Sequence, residues 1–232
     1  MPNPELTVAV PVYQGARHLA ETLRAVLADD SASVEWLVVD DGSDDGSLDI
    51  ARDLLGARAR LERNPERLGL AGNWNRCVRL ARTPFVAIIH QDDRPRRGHA
   101  AIHLDALKGD PSLGMTFSAV SIIDDHGDAV SPTRIEPGGL GPQDQRFPPG
   151  GFPRCLVAGN PVRCSAVVLR TSAFVSVDGF DPEFRYAVDW DFWARLSRRW
   201  AVRWLAARTV DVRWHPASET HRFARGLLDL EE

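Results

Sequence analysis

Asp92 and Asp93 are adjacent carboxylates at the end of an apolar run, in the stretch PFVAIIHQDDRPR (Pro84–Arg96). Two like charges at the edge of a core cost free energy unless a cation or another partner offsets them. A hard divalent cation is one such partner, because it takes a carboxylate or two and completes its shell with phosphate and water. Two other apolar runs end in similar chemistry. LTVAVPV (Leu6–Val12) is followed by Tyr13, and VEWLVVD (Val34–Asp40) by Asp41-Gly42-Ser43. Together they suggest Tyr13 stacked on a ring, Asp41 accepting from base N–H groups, and Asp93 holding a metal that bridges to a diphosphate. Each piece also has a plainer reading: Asp-Gly-Ser as a turn, Asp92-Asp93 as a capping pair, Tyr13 as a loop aromatic on the core. Three such pieces on one sheet edge are harder to explain separately.

Ligands of an open parallel sheet bind beyond the carboxyl ends of its strands, and the elements needed for such a sheet are present. After Leu6–Val12 comes a helix with Leu19, Leu23, Val26 and Leu27 on one face. After Val34–Asp40 comes one with Leu48, Ala51, Leu54 and Leu55, ended by Gly56. A weaker strand over Ala57–Arg63 precedes a helix whose face carries Leu70, Trp74, Cys77, Val78 and Ala81, and Phe85–Ile89 is the next strand. This alternation, with nearly continuous apolar strands, predicts a mostly parallel sheet with helices on both faces.

The second half is less regular. Gly114–Asp124 and Cys164–Arg170 read as strands and Val188–Trp200 as a helix. Val202–Trp214 reads as a strand pair or a strand and loop. Val130–Asn160, rich in Pro and Gly, reads as a long functional loop, and the tail THRFARGLLDLEE as a short amphipathic helix. No internal repeat is present.

Composition narrows the class. A chain of 232 residues with 44% hydrophobic and 26% charged residues is ordinary for a soluble globular protein. The net charge of −4 gives no general pull toward nucleic acid. Cys77, Cys155 and Cys164 form neither a disulfide framework nor a zinc pattern. The N-terminus does not read as a signal peptide, and no apolar run approaches the ~20 residues of a membrane span. A cytoplasmic protein is expected, with peripheral contact at the inner membrane face left open.

VAVPVYQGARHLAETLRAVL, EWLVVDDGSDDGS and NPERLGLAGNWNRCVRLARTPFVAIIHQDD, in that order and spacing, resemble the nucleotide-binding half of family 2 glycosyltransferases. The resemblance continues through GNPVRCSAVVLRTSAFVSVDGFDPEFRYAVDWDFWARL to about His215. It implies an α/β GT-A fold with a Rossmann-like, mostly parallel central sheet and a smaller acceptor-side subregion. One domain over 1–232 is expected: 1–95 nucleotide-sugar-binding, 96–215 acceptor-binding and catalytic, 216–232 a tail. The resemblance further implies a nucleotide-diphosphate-sugar donor and a hydroxyl acceptor, a saccharide or lipid-linked saccharide, with Mn2+ or Mg2+ as cofactor. Tyr13 and Asp41 would hold the base and Pro11 would supply backbone contacts. Asp92 would lie near the ribose or donor sugar and Asp93 would ligate the cation, with Asn73 of NWNRC a further candidate. His215, in VRWHPASET, would either complete the metal shell or hydrogen-bond a phosphate.

The family's catalytic base precedes a helix, and Val188-Asp189-Trp190-Asp191 offers two carboxylates there. Asp189 shares the apolar face with Phe192, Trp193, Leu196 and Trp200, whereas Asp191 lies about 200° around with Arg195 and Arg198. That selects Asp189 as base, the alternative being a first-turn carboxylate stabilised by the helix dipole. Three departures are visible: Val188 where the family has Glu, Gln14 where it has Asn, and Leu196 where processive synthases have the Gln of Gln-x-x-Arg-Trp. The expectation is an inverting, non-processive hexosyl transfer in glycan biosynthesis, with a degenerate sugar-nucleotide-binding domain as the alternative. Arg94, Arg96 and Arg97 are a basic cluster that suits an anionic acceptor or a solvated surface. A nucleotidyltransferase or a dinucleotide oxidoreductase would need a glycine-rich loop that PVYQGARH lacks.

Overall fold

A computed structural model describes residues 3–30, 32–130, 140–157, 159–185 and 187–215. Strands β1 (Leu6–Val12), β2 (Val34–Asp40), β3 (Ala59–Arg63) and β4 (Phe85–Ile88) alternate with helices α1 (Ala16–Ala28), α2 (Ser47–Leu55) and α3 (Gly69–Leu80). There follow β5 (Arg94–Pro95), α4 (His99–Gly109), β6 (Leu113–Ile123), β7 (Gln145–Phe147) and α5 (Pro153–Val157). The order ends with β8 (Val167–Arg170), α6 (Thr171–Ser176), α7 (Val188–Arg199) and β9 (Ala201–Arg213). The sheet runs β3-β2-β1-β4-β8-β6-β9-β5, with β7 also on β9. β1 to β4 are mutually parallel. β8 runs against both β4 and β6, which restores the first direction in β6 and β9.

The core has two layers because β1 is central and buried along its whole length. Val8, Val10 and Val12 face α1, α2 and α4, while Ala9 faces the layer built on α3, α6 and α7, the period-two alternation of a strand. Pro11 lacks an N–H but lies past Ala9, the last β1 residue paired with β4, so no bond on that side is lost. Leu70, expected on the packed face of α3, is 38% exposed, and Ala71 and Trp74 meet the core instead.

Elsewhere the structure revises the expected elements. Gly56–Arg58 is a 3-10 turn before β3, and Cys164–Ala166 another before β8. Val202–Arg213 belongs to one long strand, β9, which stays beside β6 through several irregular steps. The Val130–Asn160 stretch carries β7 and α5 among its described residues. The tail helix falls outside the described residues. No described helix is long and apolar enough to cross a membrane.

The arginines of the basic cluster are consumed in the fold. Arg94 pairs with Glu21 and Asp211, Arg96 with Asp211, and Arg97 with Asp30. An anionic acceptor would have to compete with these carboxylates.

Helix α4 carries two buried histidines, His99 and His103, with ring centroids 4.6 Å apart. His99 Nδ1 lies 2.9 Å from Thr209 Oγ1 and His103 Nδ1 lies 2.8 Å from Thr116 Oγ1. Burial lowers His99 from 6.5 to about 4, against the pull of Asp29. Burial, helped by His99, takes His103 well below 6.5. A lowered histidine adds stability that is complete above its unfolded value and lost as the pH falls toward its folded one. A His103→Gln variant cannot titrate there, so between about pH 7 and pH 5 it should lose less stability than wild type. Urea midpoints at the two pH values measure this, and equal losses would show that His103 is not held neutral.

Candidate active site

The loops after β1, β2 and β4 meet at the carboxyl end of the parallel strands, and most of their polar groups first serve to hold one another. After β1, Gln14 takes a positive φ of 51°. The Tyr13 N–H donates to Gln91 Oε1 at 2.9 Å and Gln91 Nε2 donates back to the Tyr13 carbonyl at 3.0 Å. A Cβ on Gly15 would stand 2.3 Å from Gln91 Oε1, so this clamp needs the glycine. The guanidinium of Arg67 lies 3.9 Å over the Tyr13 ring. Tyr13 thus presents a fixed ring with a cation on one face.

Asp41 is 2% exposed and its carboxylate is occupied. Asn64 Nδ2 donates to Oδ1 at 2.6 Å, the Leu68 N–H to Oδ1 at 2.8 Å, and the Gly69 N–H to Oδ2 at 2.9 Å. These backbone donors belong to the N-terminus of α3, where N–H groups lack helical partners. Asn64 also donates to Asn73 Oδ1, and Asn73 donates to the Val39 carbonyl. In this geometry Asp41 and Asn73 hold the loop that carries Arg67 over Tyr13.

Asp92 and Asp93 follow β4 directly. Asp93 is 3% exposed. It accepts from Ser165 Oγ at 2.5 Å and from the Arg213 N–H at 2.8 Å. Burial, and then the charge of Asp92, push Asp93 up to about 8 against those two donors. Asp92 goes the other way. Burial acts to raise it, but the His215 hydrogen bond at 2.9 Å and the His90 and His215 charges outweigh burial and hold it below the usual range. The pair therefore carries one negative charge at neutral pH. One donor atom each from His90, Asp92 and Asp93 lies within 4.8 Å of the others, an oxygen-rich set suited to a divalent cation. His215 is absent from that set and falls in another group, with His18 and Asp125.

Asp189 opens α7 on its inner side. Asn160 Nδ2 donates to its Oδ2 at 3.0 Å and the Trp190 N–H to its Oδ1 at 2.8 Å. Burial nevertheless raises it above the ordinary carboxylate value. Asp191 is paired with Arg195 at 2.7 Å. His90 stacks on Trp74 at 4.9 Å between centroids and feels the charge of both Asp92 and Asp189. Burial lowers His90 against those carboxylates. Val188, in the place of the family's Glu, is 1% exposed and belongs to the core.

The defining pattern of the family described as Glycosyl transferase family 2 matches residues 7–168. The chain belongs to that family. Protein MT1568 of Mycobacterium tuberculosis (strain CDC 1551 / Oshkosh) is 32% identical over 238 residues, 99% of this chain and 74% of that protein. EpsE of Bacillus subtilis (strain 168) is 25% identical, covering 84% of this chain and 67% of EpsE. Among solved structures, S. aureus TarS 1-349 in complex with UDP-GlcNAc superposes with a TM-score of 0.71 at 18% identity, over 95% of this chain and 61% of that one. The mannosyltransferase PcManGT of Pyrobaculum calidifontis, in complex with GDP-Man and Mn2+, gives 0.67 at 20% identity, over 96% and 60%. The fold is GT-A, and the chain spans about three fifths of the length of these solved relatives.

Gln91, Ser165, Arg213 and Asn160 carry contacts that reading from sequence did not assign. Gln91 lies in HQDD, and Ser165 and Asn160 lie in GNPVRCS. Arg213 lies in VRWHPASET, where the resemblance implies an Arg and a His near the diphosphate, but its contacts follow from where β9 ends. An Asp41→Asn substitution would set an amide N–H2 against three donors or flip to satisfy only part of them. It should destabilise the free chain by about 2–3 kcal/mol. Denaturant unfolding without any nucleotide measures this, and an unchanged stability would mean that Asp41 is not the anchor of the α3 N-terminus.

Proposed function

We propose that the chain transfers one sugar from a nucleotide-diphosphate donor to a hydroxyl acceptor, a saccharide or lipid-linked saccharide, by a single inverting and non-processive displacement. The observation that carries this reading is the Asp92–Asp93 pair beside His90, a ring that also feels Asp189, whose proton affinity burial raises. Family membership and the donor complexes of TarS and PcManGT support it. Tyr13, backed by Arg67 on one face, would hold the base, with Pro11 lining the β1 end and Asp41 holding the Arg67 loop. Asp92 would lie near the ribose or donor sugar, and Asp93 with His90 would hold Mn2+ or Mg2+.

The bound cation would supply charge that offsets the negative charge developing on the departing nucleoside diphosphate. Asp189 accepts the proton of the acceptor hydroxyl as that oxygen bonds to the anomeric carbon. The bond from that carbon to the diphosphate oxygen breaks with its electron pair, and inversion follows from attack on the opposite face. Asn160 and the Trp190 N–H each bond one carboxylate oxygen and fix the carboxylate, whose remaining lone pairs would take the acceptor proton. The raised proton affinity of Asp189 suits a base. A second reading, a degenerate domain that binds a sugar nucleotide without transfer, draws on Val188 in the core where the family has Glu.

Thermal melting with UDP, GDP, dTDP and CDP, each with Mn2+, Mg2+ or EDTA, separates these readings from a chain that binds no donor. A nucleotide at ~100 times its dissociation constant stabilises by about 2.7 kcal/mol, roughly a 5–10 °C shift for a chain of this size. Asp93→Asn should abolish the metal-dependent part of the shift. Asp189→Asn should keep the shift and lower kcat about 10²- to 10⁴-fold. Loss of transfer in Asp191→Asn with Asp189→Asn active would contradict the assignment of the base. A shift without turnover of any acceptor would favour the degenerate domain.

A further inference from the structure

Three consecutive residues of α3 each hold a different part of the molecule. Asn73 donates to the Val39 carbonyl and accepts from Asn64 beside Asp41, and Trp74 stacks on His90. Asn75 reaches the other way, to the turn that leads into α7. Its Nδ2 donates to the Phe180 carbonyl at 2.7 Å, and its Oδ1 accepts from the Phe180 N–H at 2.9 Å. One buried amide thus takes both backbone groups of one residue, and the two bonds fix which end of the amide is which. The approach is close. Gly179 has a φ of 67°, and a Cβ there would stand 2.6 Å from Asn75 Oδ1 and 2.7 Å from Phe174 Cζ. The same turn is gripped from α7. Arg195 donates to the Val177 carbonyl and, at 2.7 Å, to the Gly179 carbonyl, while Asp191 accepts from its Nε at 2.8 Å. The Phe180 ring lies between, 5.2 Å from Trp74 and 4.5 Å from Phe192 by centroids.

We propose that Asn75 and Arg195 are positioning residues for the transfer: they lock the Val177–Phe180 turn to α3 and to α7, and so set where Asp189 stands relative to the Asp92–Asp93 pair. This role rests on the transfer reading given above. Asn160 and the Trp190 N–H orient the Asp189 carboxylate, but neither ties α7 to the donor half. The turn makes that tie. Helix α3 packs on β1, β2 and β4, the strands whose ends carry Tyr13, Asp41 and the carboxylate pair. Asn75 extends that frame across 105 residues of sequence to Phe180, and Arg195 carries it one step further onto α7. Hydrogen bonds from a guanidinium to carbonyls are stronger than neutral ones, and Trp74, Phe180 and Phe192 pack around them in one apolar cluster. Asp191 finds its part here as well. It orients Arg195, so the two carboxylates of Val188–Asp191 serve one displacement, one as the base and the other through the arginine. Neither Asn75 nor Arg195 touches a reacting group, yet a base misplaced by about 1 Å loses up to about 100-fold in rate.

The test uses the full chain with Mn2+, UDP-glucose and GDP-mannose, and water as the acceptor, so that release of UDP or GDP reads the displacement. Asn75→Ser and Arg195→Met should each lower kcat about 10- to 100-fold while the sugar-nucleotide KM moves by less than about twofold. Arg195 is partly exposed, so its variant carries the test if Asn75→Ser does not fold. Amide hydrogen exchange reads the placement without substrate. The Trp190 N–H should exchange faster in both variants, with the Leu68 and Gly69 N–H groups on Asp41 unchanged. A wild-type kcat in a folded variant, or a KM that rises in step with the loss of kcat, would overturn the proposal. Faster exchange at Leu68, Gly69 and Trp190 alike would also overturn it, because that marks general loosening. A wild-type chain that releases neither nucleotide speaks against the transfer reading, and unchanged Trp190 exchange in both variants then still overturns the placement.

Discussion

Two carboxylates on consecutive residues, Asp93 buried and Asp92 half-buried, cannot both stay ionised without a counter-charge. The environments of Asp92 and Asp93 push them apart. Asp92 faces His215 and stays charged, while Asp93, held between Ser165 and the Arg213 N–H, keeps its proton to about pH 8. Much of the second half of the chain serves this pair. β8 delivers Ser165 from the turn that precedes it, and the length of β9 brings Arg213 and His215 to the same end of the sheet. Arg213 is 3% exposed, and its side chain also donates to the Asp92 carbonyl, so the loop after β4 is pinned from both sides.

The other acidic residues of the sheet edge have a different task. Asp41 receives the first N–H groups of α3, Asp45 receives the Ala16 N–H at the start of α1, and Asp29 receives the Gly98 and Ala100 N–H groups at the start of α4. Each carboxylate caps a helix that is not its own, where the dipole favours negative charge. This remote capping ties consecutive strand–helix units together at the end where ligands bind. The acidic stretch Asp40–Asp45 is satisfied accordingly: Asp40 pairs with Arg63, Asp41 and Asp45 face helix N-termini, and Asp44 accepts from Gln14.

The parallel half of the fold was legible because β1, β2 and β4 are apolar on both faces and the intervening helices keep a 3.6-residue period. The mixed half was less so. Val167–Arg170 is too short to reveal that it runs antiparallel, and β9 hides its continuity behind Arg203, Arg208 and Asp211, which a long irregular strand tolerates at an edge-side position. α4 escaped notice because its buried face includes His99 and His103, which read as polar. In the site, residue types that can do chemistry stood out: Tyr13, Asp41, Asp92, Asp93, Asp189. What sequence could not show is which of them are already satisfied by the chain. Asp41 has partners that only tertiary structure brings close, unlike Asp191, whose pairing with Arg195 four residues on is legible in the helix period, whereas Asp93 and Asp189 keep the unsettled electrostatics of groups awaiting a ligand.

The central claim is that the carboxylate pair is built for a cation and is held half-protonated without one. Because Asp93 sits at about 8, a cation binding there at about pH 7 must expel roughly 0.9 of a proton. Calorimetric titration of Mn2+ into the metal-free chain, repeated in buffers of different ionisation enthalpy, counts that proton. The account predicts nearly one proton released per Mn2+, and none from Asp93→Asn. Mn2+ binding with no proton released by the wild-type chain would contradict it.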